Sequence, residues 1–146
     1  MTVQGYFAEP LIKGNNGGRK SMDSPKILIV DDNEDLCTIF KEALEEEGYK
    51  ISTAVDGKQA LAEAKKTHFD LIITDKNMPR MGGIRLVRSI RELDPDTKIV
   101  LITGFGGKQS YVKAMELGAD EYLSKPLRIG DLKKFVSNII RSSPVI

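Results

Sequence analysis

Four short apolar runs end in polar residues able to do chemistry. "ILIV" stops at Asp31 and Asp32, "LIIT" at Asp75, "IVLI" at Thr103, and "DEYLS" runs into Lys125 and Pro126. Taken singly, each residue type is ordinary. Acids such as those in "DDNED" accept the orphan N–H groups of a helix start and favour the positive end of its dipole. A threonine at a strand end or a lysine on a surface needs no function. Gathered at one place they would form a reaction centre. Three adjacent carboxylates repel one another and raise one another's pKa until a cation joins them. Hard oxygen donors with room for water suit Mg²⁺, which takes one or two carboxylates together with phosphate oxygens. In such a site Asp75 is a candidate nucleophile toward phosphorus. Lys125 would neutralise phosphoryl oxygens, and Thr103 would hydrogen-bond one of them. The chemistry indicated is Mg²⁺-assisted phosphate transfer.

That gathering depends on the elements between these residues. Strands are expected at Lys26–Val30, Ile51–Val55, Leu71–Asp75, Ile99–Thr103 and Glu121–Ser124. Leu36, Ile39, Phe40, Ala43 and Leu44 follow the spacing of one helix face, as do Ile129, Leu132, Phe135, Val136, Ile139 and Ile140. Further helices are expected at Gly57–Lys66, opened by a capping pair of Asp56 and Gln59, at Ile84–Leu93 and at Ser110–Leu117. Five βα units imply an α/β fold, a mainly parallel sheet with helices on both faces and right-handed crossovers. The first, third and fourth strands are continuously apolar and belong in the centre, whereas "ISTAV" alternates and "EYLS" is short. The resulting order is 2-1-3-4-5, a flavodoxin-like doubly wound sheet whose winding reverses between the first and third strands. Ligands bind such sheets at the carboxyl ends of the strands flanking that reversal. Asp31, Asp32 and Asp75 are at those ends.

Composition limits what else the chain can be. Its 146 residues, 40% hydrophobic, suffice for one ordinary core. With 22 Lys+Arg against 21 Asp+Glu the net charge is +1, which gives no global field for nucleic acid or an anionic membrane. Cys37 is the only cysteine, so no internal disulfide can form, and a reducing, cytoplasmic setting is expected. The apolar runs fall far short of the roughly 20 residues that span a bilayer. Residues 1–24 contain "KGNNGGRKS" and no periodic apolar face, and are expected to form a flexible leader. Two origins stay open for it: an expression remnant ahead of a natural start at Met22, or a native tail whose "YFAEPLI" binds a partner. The organised domain is expected over 25–141, with 142–146 as a tail.

The segments "ILIVDDNED", "LIITDKNMPRMGG", "IVLITG" and "DEYLSKP", in this order, resemble the receiver domain of the two-component response-regulator family from about Lys26 to Arg141. The resemblance implies that Asp75 is the phosphorylated aspartate. It also implies that Asp32, Asp75 and the backbone carbonyl of Asn77 ligate Mg²⁺, and that Asp31 supports the metal through water. Thr103 corresponds to the hydroxyl that turns toward the phosphoryl group, Tyr122 to the aromatic switch coupled to it, and Lys125 to the cation that contacts phosphate. The Lys125–Pro126 peptide is expected to be cis. Asn77 and Phe105, two positions beyond Asp75 and Thr103, correspond to places that influence water access to the acyl phosphate. The chain departs from the family at Gly82, where Asp or Asn is common, and a slightly looser loop is expected.

The implied phosphodonor is a histidine kinase or a histidine phosphotransfer protein, docking near the first helix and the loop after Lys125. The implied output surface is the face of the fourth helix, fifth strand and fifth helix, read by an output domain or a downstream protein, without direct nucleic-acid binding by this segment. His68, the only histidine, falls where the second helix ends, and a loop or helix-end role is expected. Two alternatives stand beside this reading: a Mg²⁺-dependent aspartyl-phosphate phosphohydrolase, and an interaction domain that works without phosphorylation. Phosphohydrolases of the haloacid-dehalogenase type place an Asp two residues after the first-strand nucleophile. Asn33 is found two beyond Asp31 here.

Overall fold

A computed structural model describes residues 24–104 and 108–141. Strand and helix alternate along the described residues: β1 (Lys26–Val30), α1 (Glu34–Glu45), β2 (Lys50–Ala54), α2 (Gly57–Lys66), β3 (Leu71–Asp75), α3 (Gly83–Leu93), β4 (Lys98–Thr103), α4 (Lys108–Glu116), β5 (Glu121–Ser124) and α5 (Ile129–Arg141). The five strands form one parallel sheet in the order β2-β1-β3-β4-β5, as expected from strand hydrophobicity.

The central strands are apolar on both faces because both faces are covered. In β1, Leu28 and Val30 join Ile72, Leu86, Ile90 and Leu101 in a core that includes residues of α2, α3 and α4. Ile27 and Ile29 point the other way and pack with Ile73, Val100, Phe40, Leu44, Leu132 and Val136 against α1 and α5. Each such side chain, fully removed from water, contributes about 1.5–3 kcal/mol of transfer free energy. The expected leader up to residue 23, including its "YFAEPLI" segment, the residues Phe105, Gly106 and Gly107, and the expected tail lie outside the described residues.

Six boundaries differ from the sequence expectation by one or two residues: both ends of β2, the starts of α3 and β4, and both ends of α4. β2 starts at Lys50, whose N–H bonds the carbonyl of Pro25 at 2.9 Å, and ends at Ala54. The N–H of Val55 instead donates to Oε1 of Gln59 at 2.7 Å, so Val55 leaves the ladder to help cap α2. Asp56 completes that cap by accepting from the N–H of Gln59 at 2.7 Å. In α1 the buried face is Cys37, Phe40, Ala43 and Leu44, and Ile39 is 51% exposed. Cys37, Phe40 and Leu44 centre the stripe, and at 100° per residue Ile39 falls off its edge. α4 starts at Lys108, two residues before the expected Ser110.

Candidate functional site

Parallel pairing brings the ends of β1, β3, β4 and β5 to one rim of the sheet. Asp31 directly follows β1 and remains tied to β2, its N–H donating to the carbonyl of Ala54 at 3.1 Å. Its Oδ1 accepts the N–H of Asn33 at 2.9 Å, which turns the chain into α1. Asn33 then caps that helix, accepting from the N–H of Leu36 at 3.1 Å, while Glu34 and Asp35 occupy the first turn where the dipole favours them. "DDNED" thus divides its labour: the first two acids face the rim, the asparagine caps, and the last two start the helix.

Asp75 ends β3 in register with Ile102 of β4. Asp31 and Asp75 are only 6% and 8% exposed, and Asp32 is exposed. One carboxylate oxygen from each of the three lies within 4.8 Å of the others, close enough to share one cation. The ammonium of Lys125 closes the other side, 3.2 Å from Oδ2 of Asp31 and 3.1 Å from Oδ1 of Asp75. The Lys125–Pro126 peptide is cis, as expected.

Electrostatics follow from this crowding. Burial pushes the Asp75 carboxyl up from its ordinary value; the bond from Lys125 opposes the rise and the charges of Asp31 and Asp32 add to it. Burial acts on Lys125 in the opposite sense, yet its bonds to Asp75 and Asp31 prevail and hold its pKa above the usual lysine value. An apolar cavity of about 220 Å³ adjoins these groups, lined by Leu36, Phe40, Ile73, Ile102 and Leu127 as well as Asp31, Asp75 and Lys125.

The loop after Asp75 is held at several points. The N–H of Lys76 donates to the carbonyl of Ile102 and the N–H of Gly83 to the carbonyl of Lys76, both at 2.8 Å. A Cβ on Gly83 would meet the carbonyl oxygen of Asp75 at 2.3 Å, so only glycine lets α3 start this close to the site. Gly82 is the N-cap of α3 and offers no side-chain bond. Asn77 is exposed on this loop. Arg80, in a left-handed conformation at φ 68°, pairs its guanidinium with the buried carboxylate of Asp56. Its neighbour Met81 accepts the N–H of Gly57 through its carbonyl at 2.9 Å.

Thr103 is buried at the end of β4, its carbonyl accepting the N–H of Lys125 at 2.8 Å. Tyr122, on β5 beside Leu101, is half-buried, and its hydroxyl is buried without a hydrogen-bond partner among the described residues. Its ring meets that of Tyr111 edge-on, centroids 5.7 Å apart at 83°. His68 lies beyond the end of α2, with Nδ1 2.5 Å from Oδ2 of Asp94 and Nε2 3.7 Å from Oδ1 of Asp70, at the opposite end of β3 from Asp75. Its loop position agrees with expectation.

All the expected site residues for which the structure gives side-chain positions lie along this rim or on the adjoining loop and strand. Sequence reasoning took Asp56 for a helix cap only and missed Arg80, Lys76, Ser110 and Tyr111. The long-range partners of these residues carry no local signal.

A family profile described as response regulator receiver domain matches residues 27–137. The chain is 34% identical over 120 residues to the transcriptional regulatory protein PrrA of Mycobacterium leprae, covering 82% of this chain and 52% of that one. It is 37% identical over 118 residues to the transcriptional regulatory protein CpxR of Escherichia coli, covering 81% and 50%. The chain therefore spans about half the length of the curated relatives it matches. A crystal structure of a CheY-like response regulator receiver domain protein from Methanospirillum hungatei superposes with a TM-score of 0.80 at 30% identity, covering 83% of this chain and 97% of that one. Among the described residues no helix is long and apolar enough to cross a membrane. By its sequence match, its sheet order and the carboxylates collected at its rim, this chain belongs to the response-regulator receiver family.

Proposed function

We propose that residues 25–141 form a phosphoacceptor switch that takes a phosphoryl group on Asp75 from a histidine kinase or a histidine phosphotransfer protein. The observation that carries this reading is the position of the Asp75 carboxylate, 3.1 Å from the Lys125 ammonium and within sharing distance of oxygens of Asp31 and Asp32. The chemistry is one displacement. An oxygen of Asp75 attacks phosphorus, the P–N bond to the donor imidazole breaks, and the electron pair leaves with the imidazole, so an acyl phosphate replaces a phosphohistidine.

Each side chain has a task in that displacement. Asp32, Asp75 and the Asn77 carbonyl would hold Mg²⁺, with Asp31 supporting it through water; their hard oxygen donors suit that ion. When bound, the ion neutralises charge on the phosphoryl oxygens. Lys125 exchanges its bond to Asp75 for one to the phosphoryl group, and Thr103 donates its hydroxyl to another phosphoryl oxygen. Asn77 and Phe105 set water access to the product. The domain catalyses only its own phosphotransfer and dephosphorylation. The donor docks near α1 and the loop after Lys125, and the state is read at the face of α4, β5 and α5, through Thr103 and Tyr122, by an output domain or a downstream protein. The setting is cytoplasmic, and this segment makes no direct contact with nucleic acid.

The test is intact-mass measurement after treatment with Mg²⁺ and acetyl phosphate, beside an Asp75→Asn variant. A single phosphate adduct on the parent alone is expected. No adduct on either protein would overturn the proposal, and steady phosphate release from a phosphomonoester would favour a phosphohydrolase instead.

A further inference from the structure

Two adjacent residues on the first turn of α4 reach two different parts of the site. Oγ of Ser110 accepts a hydrogen bond from Nζ of Lys76 at 2.8 Å, a partly buried link between residues far apart in sequence. Tyr111 packs edge-on against Tyr122. Successive helical residues point about 100° apart, so one turn can face the end of β3 with one side chain and β5 with the next. Lys76 directly follows Asp75, and Tyr122 lies three residues before Lys125. The start of α4 is therefore tied to both strands that supply the Asp75–Lys125 pair.

The two ties respond differently to charge. The Lys76 backbone is pinned on both sides, by its N–H to Ile102 and its carbonyl to Gly83, so only its flexible side chain can swing. That side chain now donates to a neutral hydroxyl. A phosphoryl group on the neighbouring residue adds about −1.5 to −2 charge and three strong acceptors, and charge-assisted bonds are about twice as strong as neutral ones. Tyr111 gains nothing directly from such charge. Its ring contact offsets part of the cost of the Tyr122 hydroxyl, which is buried with no partner among the described residues.

We infer that Ser110 and Tyr111 form a two-point latch on α4, and that Lys76 is the positioning residue through which phosphoryl charge on Asp75 releases the Ser110 half. This rests on the proposed phosphoacceptor role of Asp75. On phosphorylation the Lys76 ammonium leaves Ser110 for the phosphoryl oxygens, and of the two ties only the Tyr111–Tyr122 contact then remains.

The experiment is amide hydrogen exchange across α4 on the whole chain, with and without Mg²⁺ and beryllofluoride, an acyl-phosphate mimic. Parent protein should exchange roughly tenfold faster in the first turns of α4 when the mimic binds, as expected for loss of one bond to a charged group. Lys76→Met and Ser110→Ala should show that faster exchange before any addition and little further change after it. Lys76→Arg should behave as the parent does, which a purely structural role for the lysine stem would not require. Two variants approach the same bond from opposite ends, so misfolding of one leaves the other decisive. Variants matching the parent before addition would overturn the latch. Fluorine NMR of bound beryllofluoride, with Asp75→Asn as blank, separately tests the phosphoacceptor role. Its failure leaves the comparison without ligand intact.

Discussion

The ammonium of Lys125 lies 3.1 Å from Oδ1 of Asp75 while also bonding Asp31 at 3.2 Å, so one cation balances two buried carboxylates. Lys125→Met keeps the stem and removes the charge, leaving phosphoryl oxygens without that donor. Adduct formation from acetyl phosphate should slow about 100-fold, the usual cost of losing one preorganised donor to developing charge. Intact-mass time courses at fixed Mg²⁺ check this.

Mg²⁺ binding should stabilise the fold. At a concentration near 100 times the dissociation constant the gain is about 2.7 kcal/mol, a rise in Tm of roughly 5 to 10 °C for a domain of this size. Asp32 is exposed, so Asp32→Asn should change metal-free stability by no more than about 0.5 kcal/mol while removing most of the Mg²⁺-induced rise. Calorimetry with and without a chelator separates the two effects.

Asp56 gives a pH signature outside the Asp31–Asp32–Asp75 cluster. The N–H of Gln59 and then the Arg80 guanidinium hold its carboxyl below the ordinary 3.8. A depressed folded-state pKa means that its contribution is present above the unfolded value and lost as pH falls through the folded one. Asp56→Asn keeps a competent helix cap and loses the charge pairing with Arg80. The variant should be less stable than the parent near neutral pH, and the gap should close below about pH 3.8. Thermal unfolding from pH 3 to 7 measures it.

Gly83 and Gly130 should respond oppositely to alanine. A Cβ at Gly83 would collide with the Asp75 carbonyl, the Leu101 side chain and the Lys76 backbone, so Gly83→Ala should cost about 1 to 3 kcal/mol. Gly130 sits in α5 with open space around it, and Gly130→Ala should stabilise by up to about 1 kcal/mol. Urea denaturation distinguishes them.

Apolar runs and their endings were enough to determine the strand order and to place Asp31, Asp32, Asp75, Thr103 and Lys125 at one rim. Strand burial follows from continuous hydrophobicity, and a parallel sheet carries every strand's last residue to the same edge. The helix face of α1 was less legible. Cys37 and Ile39 differ by two positions, and which one turns inward depends on how the helix sits against β1 and β3. Tertiary structure alone decided the links between distant residues: Lys76 with Ser110, Tyr111 with Tyr122, and Arg80 with Asp56. Such contacts depend on where two separately formed elements meet, and periodicity within either element carries no record of it. The buried Tyr122 hydroxyl belongs to the same class, since only packing from α4 and β4 determines whether that ring lies in or out.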